Sequence, residues 1–135
     1  MKKYLFIGAG GFFGAILRLW IKTMPIQNYT GIIPINTLFI NITGSFILAL
    51  ISTMAIEIVH MDNDLRLGIC TGFLGAYTTF STMCKEGMVL LDNGSYVSFI
   101  YYITTSVFLG LGAAYLGAVL ARKIVPKRIR KNKYN

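Results

Sequence analysis

The side chains that could do chemistry in this sequence are a few amides and hydroxyls inside long apolar stretches. The densest group lies in 72–83, where two glycines are followed by four serine or threonine hydroxyls within 78–82. Glycine, serine and threonine are weak helix formers, so this composition predicts a break in a helix near Gly75–Thr79. Inside a membrane, a break can offer carbonyl oxygens to a cation, while the start of the next half-helix favours an anion. The pattern therefore indicates ion handling.

A second polar group lies on the second apolar stretch. Asn41, Gly44, Ser45 and Leu48 follow helical spacing, which gives the Asn41 amide a face shared with small residues. An amide is costly in hydrocarbon unless it finds partners, so this face is expected to point at protein. Two interpretations stay open for Asn41: a structural hydrogen bond between helices, or a role in a pore or binding site.

Catalytic groups are scarce in this chain. His60 is the only histidine and lies at a predicted loop edge, so hydrolytic triads and metal-hydrolase sites have no support. The five acidic residues lie mostly at the ends of apolar stretches, whereas pumps need ionisable groups deep in the membrane. Cys70 and Cys84 lie inside an apolar stretch and are interpreted as packing residues. We therefore expect no enzyme.

The glycines of the first apolar stretch have two interpretations. The run from Gly8 to Gly11 is similar to the beginning of a dinucleotide-binding loop, but Phe13 occupies the place of the third glycine. Gly10 and Gly14 instead form a GxxxG pair, which allows two helix backbones to approach closely in lipid. The sequence favours close helix packing here.

The elements that must position these groups follow from composition and charge. Of the 135 residues, 55% are hydrophobic and 13% are charged, about half the charged share of a soluble domain. The uncharged stretches are 4–17, 23–56, 67–84 and 93–121, each suited to one membrane-spanning helix. We predict an all-α integral membrane protein with four transmembrane helices and a break in the third. The predicted spans are about 4–21, 34–58, 67–91 and 96–121. They form one membrane unit over 1–125, and a basic tail over 126–135 follows it.

The net charge of +8 is placed asymmetrically along the chain. With four spans, the N-terminus, the loop around Arg66 and the C-terminus share one membrane face. The basic residues on that face are Lys2, Lys3, Arg66, Arg122, Lys123, Lys127, Arg128, Arg130, Lys131 and Lys133. Basic residues beside membrane spans mark the cytoplasmic side, so both termini are predicted in the cytoplasm. We interpret the charge as a topology signal beside the lipid bilayer and expect no nucleic-acid partner.

The interior side chains suit one kind of ligand. Tyr102 and Ser106, four residues apart on the last stretch, place two hydroxyls on one helical face. Hydroxyl and amide donors, together with the positive edge of an aromatic ring, favour a small hard anion. Four short helices enclose little volume, so we expect a partner chain to complete a pathway.

Three sequence blocks are similar to motifs of the CrcB/Fluc family of fluoride channels. They are GGFFGAILR over 10–18, NTLFINITGSF over 36–46 and GFLGAYTTFST over 72–82, with Glu86 beyond the third. The resemblance covers all four predicted spans in order. It implies one subunit of an antiparallel dimer in a bacterial plasma membrane, exporting cytoplasmic fluoride passively. It also implies a structural sodium ion, not transported, at the dimer centre.

The resemblance implies roles for particular residues. The backbone carbonyls of Gly75 and Thr78 would hold the sodium ion. The fluoride pathway would involve Asn41, Phe80, Met83, Tyr102, Ser106, Thr37, Glu86 and Arg18. Asn41 would be a pore-lining donor, and the ring edge of Phe80 would face fluoride. Arg18 has two interpretations, attraction of anions at a vestibule or a structural pairing.

The chain departs from the family pattern at three positions. Met83 stands where a second phenylalanine is usual, and methionine has no positive ring edge. Ala76 replaces the second glycine of the break, and Asn36 replaces the glycine before Thr37. The strong charge bias predicts a subunit of one orientation, and a heterodimer would tolerate the loss of one aromatic ring. We hypothesise that it pairs with a related, oppositely oriented subunit, and a homodimer stays open.

Two other functions stay open at this stage. A small dimeric exporter of multidrug or guanidinium type would depend on a glutamate buried in the membrane, and Glu86 is predicted too near a helix end. A non-conducting assembly subunit would account for the glycines, but not for the clustered hydroxyls or Asn41.

Overall fold

The computed structural model describes residues 1–25, 31–57 and 61–132, and all regular secondary structure in these ranges is helical. The elements are α1 (Lys2–Thr23), α2 (Ile35–Glu57), α3 (Asn63–Leu67), a π-helical segment (Gly68–Phe73), α4 (Leu74–Tyr77), α5 (Phe80–Asp92) and α6 (Tyr96–Asn132). The all-α prediction is confirmed for these residues. The predicted end of the second span at residue 58 and the loop-edge His60 lie outside the described residues.

Three helical stretches are long and apolar enough to cross a membrane: Lys2–Thr23, Ile35–Ile56 and Tyr96–Ile124. They coincide with the first, second and fourth predicted spans. The third predicted span, 67–91, is divided by two extended residues, and neither half has the length of a span alone. The chain is thus a multi-pass membrane protein, in which a fourth crossing would need both halves of the divided region.

The first half of the divided region packs directly on α1 through glycines. A Cβ on Gly10 would overlap the carbonyl oxygen of Gly68, and a Cβ on Gly14 would overlap that of Phe73. Only glycine therefore permits this contact between two helix backbones. The result confirms that the GxxxG pair serves close packing.

The second half of the divided region packs against α6, which also lies along the length of α2. Two clusters of buried side chains result. They are Ile40, Leu74 and Tyr77 beside α4, and Met83, Leu90 and Tyr102 beside α5. The break between α4 and α5 is therefore held between two packed regions, which restricts the motion of its polar groups.

The last helix extends further than predicted. A span over 96–121 and a separate basic tail from 126 were expected, whereas α6 continues to Asn132. Lysine and arginine are good helix formers, so the basic residues that follow Pro126 favour the helical continuation. Most of the predicted tail is therefore helical, and residues 133–135 lie outside the described part of the chain.

Large apolar side chains cover the outer surface of the chain. Phe12, Phe13, Leu19, Trp20, Phe108, Leu111 and Tyr115 are each at least 60% exposed. An apolar surface of this extent belongs in lipid or against another protein chain. It agrees with the membrane location that composition predicted.

Candidate functional site

The break in the divided helical region consists of Thr78 and Thr79, whose backbones are extended, with ψ angles of 154° and 110°. The side chain of Asn41 in α2 forms hydrogen bonds with the backbone at this break. Its Oδ1 accepts the Thr79 N–H at 2.8 Å, and its Nδ2 donates to the Thr79 carbonyl at 3.1 Å. Both ends of the amide thus bind one backbone residue, which is the structural interpretation of Asn41. The amide nitrogen carries two hydrogens, so a pathway role stays compatible with this geometry.

The break removes the helical donors of the last carbonyls before α5, and those of Gly75 and Thr78 are among them. In a continuous α-helix, the Thr79 N–H would donate to Gly75 and the Thr82 N–H would donate to Thr78. Here the first N–H donates to Asn41, and the second donates to the Thr79 hydroxyl at 3.2 Å. Unwound backbone carbonyls of this kind suit sodium. The oxygens of Gly75 and Thr78 therefore fit the ion that the resemblance implies.

The break falls where the sequence predicts it, but its glycines do not form it. Gly72 lies in the π-helical segment and Gly75 lies in α4, so both stay helical. Thr79 instead ends the interruption, because its side chain accepts the Thr82 N–H and caps the start of α5. Gly72 serves packing, since a Cβ there would meet the backbone of Ile7.

A cavity of about 240 Å³, termed the break cavity, lies beside the interruption. Its lining consists of Asn41, Ser45, Leu48, Thr78, Thr79, Phe80, Met83 and Ser106. Four residues predicted for an anion pathway therefore meet at one place, from α2, α5 and α6. Phe80 is 75% exposed and Met83 is 6% exposed. The cavity thus has one wall inside the chain and one that faces away from it.

A second polar group, termed the Glu86 cluster, joins α1, α2, α5 and α6. The Glu86 carboxylate accepts a hydrogen bond from Thr37 at Oε1 and one from Tyr102 at Oε2, each at 2.9 Å. Lys22 completes the cluster, with its Nζ 3.1 Å from Oε1. Thr37 and Tyr102 are buried, and the Glu86 side chain is only 19% exposed. Side chains from four helices thus meet at Glu86, which the sequence placed near the end of a span.

The Glu86 cluster and the break cavity lie about one helical turn apart on three helices. The paired residues are Thr37 and Asn41 on α2, Met83 and Glu86 on α5, and Tyr102 and Ser106 on α6. Residues three or four apart share one face of a helix. The three helices therefore carry two successive layers of hydrogen-bonding side chains.

Two further cavities flank the Glu86 cluster. The smaller, of about 260 Å³, is lined by Lys22, Ile33, Pro34, Ile35, Asn36, Thr37 and Glu86. The larger, of about 360 Å³, includes Lys22, Thr82, Lys85, Glu86 and Asn93 in its lining. Lys22 and Glu86 border both cavities, so their ion pair lies between the two spaces.

Sequence reasoning missed Lys22, although a signal for it was present. Lys22 follows the end of the first predicted span and Glu86 lies near the end of the third, two ends predicted on the same membrane face, and the two residues carry opposite charges. Arg18, the predicted basic residue, lies one turn earlier in α1 and is half-buried. It is not in the lining of the break cavity or of the two cavities beside Glu86.

Fold and site together define a small helical membrane protein whose spans enclose successive layers of hydrogen-bonding side chains. The chain belongs to the CrcB-like family. The family model described as "CrcB-like protein, Camphor Resistance (CrcB)" matches residues 5–118.

Relatives of known name match nearly the whole chain. "Fluoride-specific ion channel FluC 2" of Carboxydothermus hydrogenoformans is 40% identical over 130 residues, which are 96% of this chain and 95% of that protein. "Fluoride-specific ion channel FluC" of Campylobacter jejuni is 41% identical over 120 residues, which are 89% of this chain and 98% of that protein. The protein of the same name in Rhizobium meliloti is 34% identical over 125 residues, which are 93% of this chain and 100% of that protein. The family resemblance drawn from the three sequence blocks is confirmed.

Proposed function

We propose that this chain is a subunit of a fluoride-specific channel in a bacterial plasma membrane. It lets cytoplasmic fluoride leave down its gradient and so relieves fluoride toxicity. The observation that carries the proposal is the pair of polar layers, which three helices of a CrcB-like chain enclose. The names of the relatives support the choice of ion.

The chemistry of the two layers suits a small, strongly hydrated anion. At the break cavity, the edge of the Phe80 ring carries partial positive charge, and Asn41 adds an amide donor. At the Glu86 cluster, the hydroxyls of Thr37 and Tyr102 are donors that can turn from the carboxylate to a passing anion. Fluoride can thus exchange its water shell for fixed donors in two steps.

The environment of Glu86 favours the channel over a multidrug or guanidinium exporter. Such an exporter needs an enclosed glutamate that is free to bind a cationic substrate. Glu86 is enclosed, but Lys22 already neutralises it and two hydroxyls donate to it. Cation binding at this carboxylate would require the ion pair to be broken first.

We propose a structural sodium ion at the backbone carbonyls of Gly75 and Thr78. Support comes from the hydrogen bonds at the break, which remove the helical partners of both oxygens. When bound, the ion supplies positive charge that stabilises unpaired carbonyls at membrane depth. The ion is a structural component, and fluoride is the transported species.

A second chain would complete the pathway in an antiparallel dimer, formed with another copy or with a related four-span subunit. The break cavity supports this, because its lining includes amide and hydroxyl groups and its exposed Phe80 side would otherwise open toward lipid. The two halves of the divided region together form the fourth crossing. Both termini then lie in the cytoplasm, as the basic residues predict.

Ion efflux from liposomes tests the proposed function directly. The purified protein is reconstituted alone and with a co-expressed relative, and fluoride and chloride release are recorded with ion-selective electrodes. We expect fluoride release far above chloride release. Absence of fluoride flux under both conditions would reject the proposal, and flux of guanidinium instead would support the exporter.

Cysteine-accessibility mapping in whole cells tests the orientation separately. We expect engineered cysteines beside both termini to be shielded from an impermeant thiol reagent. Equal populations of both orientations would contradict the inference from charge and favour a dual-orientation homodimer.

A further inference from the structure

We infer that Lys22 is the charge-compensating residue of the anion pathway. Its ammonium group neutralises Glu86, so that an anion moving past Thr37 and Tyr102 does not meet a net negative charge. This inference rests on the proposed function and deepens it, because it names a determinant of anion passage outside the three recognised sequence blocks.

The geometry of the ion pair is the first support. Lys22 Nζ lies 3.1 Å from Glu86 Oε1, the same oxygen that accepts the Thr37 hydroxyl at 2.9 Å. The Lys22 side chain is 43% exposed and that of Glu86 is 19% exposed, and both border the two cavities of about 260 and 360 Å³. The ammonium group therefore stands between open space and a mostly enclosed carboxylate.

The backbone that carries Lys22 is also held in place. The Asn36 side-chain amide donates to the carbonyls of Lys22 and Met24, each at 3.1 Å. Asn36 thereby ties the last turn of α1 to the first turn of α2, where Thr37 follows it. The sequence departure at Asn36 thus has a structural effect, since it positions the residue that pairs with Glu86.

The charge of Lys22 determines whether Glu86 repels a transported anion. Hydroxyl donors reduce the charge density of a carboxylate but leave its net charge, whereas an ammonium group at contact distance cancels it. In an enclosed site the repulsion between a carboxylate and a passing anion is screened far less than in water. Without Lys22, Glu86 would therefore repel the transported ion at the layer it must cross.

The nearby Lys85 provides a matched comparison. Lys85 precedes Glu86 in α5 and lines the larger cavity, but the ion pair found among the described side chains joins Glu86 to Lys22. Removal of either lysine lowers the positive charge near the cavity by one. Only removal of Lys22 leaves the carboxylate without its cation.

Fluoride efflux from liposomes is compared for the wild type, Lys22→Met, Lys22→Arg, Lys85→Met and the double variant Lys22→Met with Glu86→Gln. We expect Lys22→Met to lower the efflux rate about tenfold or more, since a unit charge a few ångströms away acts through a dielectric well below that of water. Lys22→Arg should retain most of the flux, and Lys85→Met should lose clearly less than Lys22→Met. The double variant should conduct better than Lys22→Met, because its carboxylate is gone together with its cation.

Several results would overturn the inference. Wild-type flux in Lys22→Met, equal losses in both lysine variants, or no recovery in the double variant would each reject charge compensation. Size-exclusion profiles identify any variant that does not assemble. If Lys22→Met fails to assemble, the inference is tested by Lys22→Arg and the double variant, both of which we expect to conduct fluoride. No fluoride flux from the wild type, alone or with a relative, would reject the proposed function and this inference together. Wild-type flux with unaffected lysine variants would reject the inference only.

Discussion

Asn41 and Thr79 exchange two hydrogen bonds across the helix break, at 2.8 and 3.1 Å, although they lie 38 residues apart in the chain. The amide oxygen replaces the helical partner that the Thr79 N–H loses at membrane depth, and the amide nitrogen adds a donor to the Thr79 carbonyl. Because Asn41 accepts the Thr79 N–H, the carbonyl of Gly75 loses its helical donor. One side chain thus stabilises the break and frees an oxygen that we propose for sodium.

Removal of the Asn41 amide should destabilise the protein as well as reduce transport. Asn41→Ala leaves the Thr79 N–H without its partner, at a cost of about 1–3 kcal/mol if it stays unsatisfied, and removes one of the donors to the Thr79 carbonyl. We expect a lower unfolding temperature in detergent and a lower rate of fluoride efflux. Ser45→Ala, one turn along the same face, should leave the unfolding temperature close to that of the wild type. Equal temperatures for the two variants would contradict the role of Asn41 at the break.

The ring of Phe80 should matter for flux and little for stability. Phe80→Leu keeps an apolar side chain but removes the positive ring edge, and the residue is 75% exposed in the single chain. We expect fluoride efflux to fall about tenfold, which corresponds to one aromatic contact of about 1.4 kcal/mol. The unfolding temperature should stay within a few degrees of the wild type. Unchanged efflux would remove Phe80 from the pathway.

Restoring an aromatic ring at Met83 should increase fluoride efflux. Met83 is 6% exposed and borders the break cavity of about 240 Å³, which has room for the larger side chain. Met83→Phe adds a second ring edge to the wall that faces inward. Met83→Leu serves as the control, because it changes shape without adding a ring. Equal efflux from both variants would show that the ring edge at this position has no effect.

Sodium should stabilise the assembled form of the protein. Exchange of sodium for potassium during purification leaves the carbonyls of Gly75 and Thr78 without the ion that we propose for them. We expect a shift from dimer to monomer in size-exclusion chromatography with light scattering, and restoration when sodium is returned. An unchanged dimer fraction in potassium would argue against a sodium ion that holds the chains together.

The contact between α1 and the π-helical segment should not tolerate a methyl group. A Cβ at Gly14 would overlap the Phe73 carbonyl oxygen, so Gly14→Ala must push two backbones apart. We expect a loss of about 1–3 kcal/mol, measured as a lower unfolding temperature. Gly8→Ala is the matched control, because a Cβ at Gly8 would meet no atom of another helix within 4 Å. Destabilisation of equal size by both changes would contradict the close contact.

Part of the candidate site could be predicted from spacing alone. Asn41, Phe80 and Ser106 were all candidates, and all three line the break cavity. Helical periodicity is a local property, so it correctly grouped residues three or four apart on each helix. The place of the break also followed from local composition, since weak helix formers cluster there.

Other parts of the site depend on contacts that periodicity does not contain. Composition located the break but did not separate the roles of its residues, because Gly72 is required for packing on α1 and stays helical. The pairing of Lys22 with Glu86 was missed, since it joins residues of α1 and α5. Asn36 was noted only as a departure, and its bond to the Lys22 carbonyl emerged from the fold.

The sequence by itself determined that this chain lies in lipid, where its three long helices begin to within a few residues, and which family it belongs to. Hydrophobic content, charge placement and local propensity act through neighbouring residues and can be read along the chain. Only the tertiary structure decided which partner each polar side chain meets. Thr37 and Glu86 lie 49 residues apart, yet a single hydrogen bond of 2.9 Å joins them. A buried polar group must find its partner across helices, so the packing of the helices selects that partner.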